Sequence, residues 1–74
     1  MSKANVSYRF IAKVLNGGAF TDTKTHRYRP YRDRAFVDGA WVRRTYVFRL
    51  PLADLGTVKA LDNWEQVFYL EERI

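Results

Sequence analysis

Alternation of apolar and polar positions dominates the first forty residues of the chain. Val6, Tyr8, Phe10, Ala12 and Val14 alternate with Ser7, Arg9, Ile11, Lys13 and Leu15, which predicts a strand over 6–15 with the even positions facing a core. Asn16-Gly17-Gly18 follows. Gly and Asn tolerate the positive φ of tight hairpins, so a reversal is expected there. Residues 20–29 then predict a second strand. Its threonines Thr21, Thr23 and Thr25 alternate with Asp22, Lys24 and His26 and make no strong apolar face, as suits an edge or an exposed ribbon. Pro30 either ends this strand or confines it to the sheet edge.

Asp38-Gly39, between Arg34-Ala35-Phe36-Val37 and Ala40-Trp41-Val42, is a strong hairpin signal. In the strand that follows, Val42, Tyr46, Phe48 and Leu50 share one face, interrupted by Arg44. Arg43, Thr45, Val47 and Arg49 share the other. The first set predicts the core side and the second a half-basic side. Pro51 closes the strand. Leu52, Leu55, Val58 and Leu61 recur at three-residue steps, the stripe of a short amphipathic helix, which Gly56 weakens and which Thr57 is placed to cap. Residues 65–72 alternate again, with Phe68 and Leu70 against Val67 and Tyr69. Their β-branched and aromatic content favours a final strand over a helix running from 57 to 73.

The expected architecture is therefore a single α+β domain over residues 1–74: a small antiparallel sheet of about five strands with one short helix on one face, in the order β-β-β-β-α-β. Seventy-four residues with five Phe, five Tyr and two Trp carry enough bulky side chains for one core and no more. The absence of cysteine excludes disulfides, thiolate metal sites and cysteine nucleophiles, and fits a cytoplasmic setting. MSKANVSYRF holds no apolar run of signal-peptide length, and no stretch is apolar enough to span a bilayer, so no membrane partner is expected.

Charge changes the picture. The net charge is +5, but residues 1–50 carry eleven basic and three acidic side chains, net +8, and residues 51–74 carry two and five, net −3. A molecule so polarised steers an anionic partner to one side. The segment 24–34, KTHRYRPYRDR, interleaves Lys24, Arg27, Arg29, Arg32 and Arg34 with His26, Tyr28 and Tyr31. Arginine forks bind phosphate oxygens and tyrosine rings stack on unpaired bases, a combination suited to nucleic acid. The bland counterpart is a solvated loop whose charge protects an edge strand or pairs with the acidic tail. A second basic set arises if strands one and four are neighbours: Arg9 and Lys13 would align with Arg43 and Arg49, with Trp41 at the rim. Trp41, a large aromatic beside a hairpin, is otherwise expected in the core.

His26 is the only histidine, and without cysteine or a carboxylate cluster it implies no metal and no cofactor. Three functions remain to weigh. The leading expectation is a non-enzymatic binding module for a polyanion, nucleic acid or a nucleoprotein complex, with binding mostly sequence-nonspecific and steeply salt-dependent. The second is a small regulatory or inhibitory protein that binds another protein; compact inhibitors from phages and mobile elements, anti-CRISPR proteins among them, share this size and charge, with no motif in common. The third is a small ribonuclease using His26 with Arg27, Tyr28 and Arg29. An edge strand at 20–29 also suggests a homodimer.

Overall fold

The computed structural model describes residues 6–74. The chain opens with a helix, α1 (Tyr8–Leu15), followed by β1 (Thr21–Asp22), β2 (His26–Val37), β3 (Ala40–Pro51), two 3-10 turns (Leu52–Asp54 and Val58–Leu61) and β4 (Glu65–Arg73). The strands form one antiparallel sheet in the order β1-β2-β3-β4. The α+β class stands. The sheet has four strands rather than five, and the helix comes first rather than fifth.

Residues 6–15 are the largest departure. Phe10, Ile11, Val14 and Leu15 fall at the i, i+1, i+4, i+5 positions of a helical stripe, and Ile11 and Val14 are buried, whereas Tyr8 of the supposed core face is 83% exposed. Ser7 settles the choice locally: its Oγ accepts a hydrogen bond from the Phe10 amide at 3.1 Å, capping the first turn. Asn16-Gly17-Gly18 therefore ends a helix instead of turning a hairpin. Gly18 at φ 87° has the left-handed conformation common after a helix.

The expected strand 20–29 is divided. Thr23 Oγ1 accepts from the amides of Thr25 and His26 at 3.3 and 3.1 Å, and the Thr23 amide donates to the His26 carbonyl at 2.8 Å. These bonds tie residues 23–26 into the turn that joins β1 to β2, because threonine side chains here compete with ladder bonding. β2 then runs through Pro30. That is permitted because β1 pairs only with Arg27 and Tyr28, so beyond Tyr28 the β1 side of β2 is a free edge among the described residues and needs no donor from proline.

The β2–β3 hairpin forms where expected. Asp38 and Gly39 take φ 51° and 80° between the paired residues Val37 and Ala40, as a two-residue type I′ turn requires. The expected helix 52–61 is reduced to two 3-10 turns. Thr57 caps the second, accepting from Lys59 N at 3.2 Å, but Val58 and Leu61 point to solvent, so the three-residue spacing marks no buried stripe. The final segment is a strand.

Both faces of the sheet carry buried residues, where only one was expected to. α1 covers the face bearing Tyr28 and Val47, and these with Ile11 and Val14 form the core, surrounded by Val6, Phe10, Leu15, Val67 and Phe68. Val67 and Phe68, although consecutive, both reach this core because the β3–β4 register shifts between Val47 and Phe48, leaving Val67 as an extra residue in β4. Tyr46 and Phe48, expected beneath a helix, lie on the uncovered face; Val42 and Leu50 on that face are buried as expected. No helix among the described residues is long and apolar enough to cross a membrane.

Candidate functional site

The uncovered face of a sheet is positioned by register alone. Tyr31 of β2 lies opposite Tyr46 of β3, which lies opposite Tyr69 of β4, so three tyrosines form a row across the strands. Their ring centroids are 5.7 Å apart for Tyr31–Tyr46 and 5.2 Å for Tyr46–Tyr69. Phe48, two residues along β3, stacks on Tyr46 at 5.7 Å with the rings 15° apart, and Arg29 is its cross-strand neighbour. Trp64, just before β4, closes the row, with the Arg29 guanidinium 5.8 Å from its ring centroid. Arg29, Pro30, Tyr31, Tyr46, Phe48 and Trp64 line an open groove of about 570 Å³, a volume typical of ligand clefts, about 300–1,000 Å³.

The charges of this face are paired in its middle and unpaired at its ends. Arg44 holds Asp33 with two bonds of 2.8 Å and lies 5.8 Å from the Tyr46 ring centroid. That charge-assisted fork raises the Arg44 pKa well above its ordinary value. Tyr69 donates its hydroxyl to Glu71 at 2.7 Å, and that bond to a carboxylate, with some burial, pushes the phenol up from its usual value. Arg29 has no carboxylate partner among the described residues, and neither has Arg73, which stands opposite Val42 at the other end of the same face.

The residues singled out in the sequence are dispersed. Arg29 and Tyr31 belong to the groove. Arg27 is bound to Asp22 by two bonds of 2.8 and 3.0 Å and lies 3.8 Å over the Phe20 ring, a pairing that lowers the Asp22 pKa and raises that of Arg27. Tyr28 is buried, edge-on to Phe10 at 4.8 Å, and offers no stacking surface. Arg49 donates to Tyr28 Oη at 3.2 Å and to Glu65 at 2.8 Å, bonds that raise its pKa and give it a structural role. Lys24 is exposed on the β1–β2 turn.

Arg9 and Lys13 are exposed on α1, not on a strand beside Arg43 and Arg49, because residues 6–15 are helical. The platform those four were expected to form is absent: the face carrying Arg43 and Arg49 is the one α1 covers. Arg43 meets Glu72 at 3.5 Å and stands opposite Arg34, while Arg32 donates to the Leu15 carbonyl at 3.4 Å. Trp41 is 56% exposed, in edge contact with Phe36 at 5.5 Å. Its exposed place at the tip end of the long hairpin, where Ile74 reaches only its backbone carbonyl at 3.3 Å, overturns the core expectation. His26 bonds Thr25 through Nδ1 at 2.7 Å. Strand alternation sends His26 and Tyr28 to one face and Arg27 and Arg29 to the other, so the four do not converge. Among the described residues no His, Asp or Glu cluster is arranged to hold a metal ion.

Tyr46 and Phe48 were expected in the core and not as binding residues. Their signal was present, as Tyr46 and Phe48 alternate on one face of a strand, but alternation reports shared orientation and not which face is covered. No protein-family model, curated protein or solved structure matches this chain.

Proposed function

We propose that this protein is a non-enzymatic module that binds single-stranded nucleic acid on the uncovered face of its sheet. The observation that carries this reading is the aromatic row Tyr31–Tyr46–Tyr69 with Phe48 and Trp64, on a four-stranded sheet whose other side is backed by α1. Unpaired bases stack on such rings whatever their identity, and an arginine beside them meets the phosphates. Tyr31 and Trp64 supply outer stacking surfaces, Tyr46 and Phe48 the floor, and Arg29 the phosphate contact. Arg44 supplies a second cation when it exchanges Asp33 for a phosphate. The net charge of +5 favours a polyanion over a neutral ligand, and a cysteine-free chain suits a cytoplasmic setting.

Two guanidinium groups imply a gentle salt response, a slope of about −1.4 in log affinity against log salt. Fluorescence-anisotropy titration with labelled single-stranded and duplex RNA and DNA, at about 50 and 200 mM salt, tests this. Single strands bound in preference to duplexes, with affinity falling about sevenfold between those salt concentrations, support the reading. Equal binding of duplexes, or none at low salt, refutes it.

A second reading, a regulatory or inhibitory protein that binds another protein, is favoured by one feature: the exposed Phe36–Trp41 pair beside Arg34 and Arg43 at the hairpin tip. Exposed aromatics next to arginine are typical anchors of protein interfaces. Loss of nucleic-acid binding on changing Tyr31 but not Trp41 separates the two.

A further inference from the structure

α1 is too short for the face it covers. Its eight residues span about 12 Å, against about 40 Å for the twelve residues of β3. The covered stretch ends near Thr45, which is still buried, and Arg32 opposite it donates to the Leu15 carbonyl at the end of α1. From there to the Asp38-Gly39 turn, every residue of this face is exposed. Two ranks of side chains cross it. The nearer is Arg34, Arg43 and Glu72, set opposite one another by the β2–β3 and β3–β4 registers. The outer is Phe36, Trp41 and Ile74. Phe36 lies opposite Trp41, and the Ile74 amide donates to the Trp41 carbonyl at 3.3 Å, continuing the β3–β4 register by one residue. These three apolar side chains are 63%, 56% and 64% exposed.

Charge indicates what covers them. Arg34 meets no carboxylate among the described residues, and Arg43 meets Glu72 only at 3.5 Å, both of these side chains being about half exposed. Two guanidinium groups directly opposed on one face cost stability unless they share an anion. We propose that this bare half-face docks an acidic amphipathic helix of another protein, laid across the strands beside α1. Apolar side chains at i, i+3 or i+4 and i+7 of a helix span about 10.5 Å, and the rank from Phe36 to Ile74, two strand spacings, spans about 9.6 Å. Carboxylates on the flank of that helix nearer α1 then lie over Arg34 and Arg43, whose forks accept them. Glu72 repels a carboxylate at the β4 end, so the acidic residues belong over β2 and β3.

A second copy of this chain does not fit the surface. It brings two arginines to one glutamate on this face, and its own α1 carries Arg9 and Lys13 with no acidic residue. Nucleic acid fits poorly as well, because Ile74 offers no stacking surface to a base and Phe36 already meets Trp41 edge-on. The proposal rests on the protein-binding reading of the hairpin tip and is independent of nucleic-acid binding on the opposite face.

Nuclear magnetic resonance titration of the isotope-labelled chain tests it with two synthetic peptides of about 18 residues, long enough to be partly helical alone. One has a leucine stripe flanked by glutamates; the other has every glutamate replaced by glutamine. The acidic peptide is expected to shift the Trp41 indole and the Arg34, Phe36 and Arg43 amides, and to bind about tenfold more tightly than the neutral one. Arg34→Glu should abolish that preference with a melting temperature no lower than wild type, because it exchanges two opposed like charges for an ion pair. Lys59→Glu, an equal change of charge on an exposed residue of the second 3-10 turn, should keep affinity within about twofold. Equal binding of the two peptides overturns the acidic partner and leaves a protein-binding tip standing, whereas shifts from neither peptide overturn both. An equal loss in Lys59→Glu overturns the proposal too, since attraction would then follow net charge alone. Tip resonances that move when the chain is concentrated by itself assign the surface to a second copy. Resonances that respond to a single-stranded oligonucleotide in preference to the acidic peptide assign it to nucleic acid, and either result overturns the proposal.

Discussion

Replacing Tyr31 by alanine separates stacking from charge as the source of affinity. Tyr31 is 55% exposed and touches the rest of the aromatic row only through Tyr46, at 5.7 Å and 45°. Truncation forfeits one aromatic pair, about 0.5–1.5 kcal/mol. A chain of 74 residues has a total stability of about 4–11 kcal/mol, so the variant remains folded. For binding, the ring is worth about 1–3 kcal/mol as a stacking surface for one base. The expected loss of affinity is about 5- to 150-fold. The salt slope should not change, because no cation is removed.

Arg27→Ala is the matched control. Arg27 is engaged by Asp22 and by the Phe20 ring, so removing it should leave affinity within about twofold of wild type. The assay is anisotropy against a labelled single-stranded oligonucleotide at two salt concentrations, with thermal unfolding of each variant as the check on folding. The reasoning is refuted if Tyr31→Ala binds normally. It is equally refuted if Arg27→Ala loses more than Tyr31→Ala, because binding would then follow charge density along β2 and not the aromatic row.

Three further predictions follow from particular contacts. Val47 is fully buried between α1 and the sheet, so Val47→Ala should cost about 2 kcal/mol and lower the melting temperature by about 8–16 °C; a shift of a degree or two in calorimetry would show that the core lies elsewhere. Tyr69 is held in its neutral form by Glu71. Its contribution to stability is therefore full below the ordinary tyrosine pKa and disappears as pH rises through the raised value. In Glu71→Ala the phenolate absorbance should appear at lower pH than in wild type, and an unmoved titration would disprove the pairing. Asp22 has the opposite sign: its lowered pKa makes the Arg27 pair contribute above the ordinary aspartate value and fade as pH falls through the folded one. Wild type and Asp22→Asn should differ slightly in thermal unfolding near neutrality and converge in strong acid; a gap that widens in acid contradicts this sign.

What could be read in advance was whatever depends on neighbours in the chain. Asp38-Gly39 specifies its turn because both positions need positive φ, and the strands on either side follow from β-branched and aromatic content. The polarity of charge is a property of composition, and part of it persists in the fold, with Arg29, Arg32 and Arg34 on β2 and Glu65, Glu71 and Glu72 on β4. Residues 6–15 resisted because their apolar positions satisfy a period of two and a helical stripe at once, and the deciding contact is one cap from Ser7. Assigning them to a strand then misplaced Arg9 and Lys13 and left the wrong face of β3 uncovered. Side-chain alternation determines which residues share a face, so Tyr46 was bound to accompany Phe48. It is silent on which face meets a helix, since that depends on where α1 packs, a contact between Ile11 or Val14 and Val47 more than thirty residues away. The aromatic groove existed in the sequence as an alternation; only tertiary packing, by covering the opposite face, made it a surface.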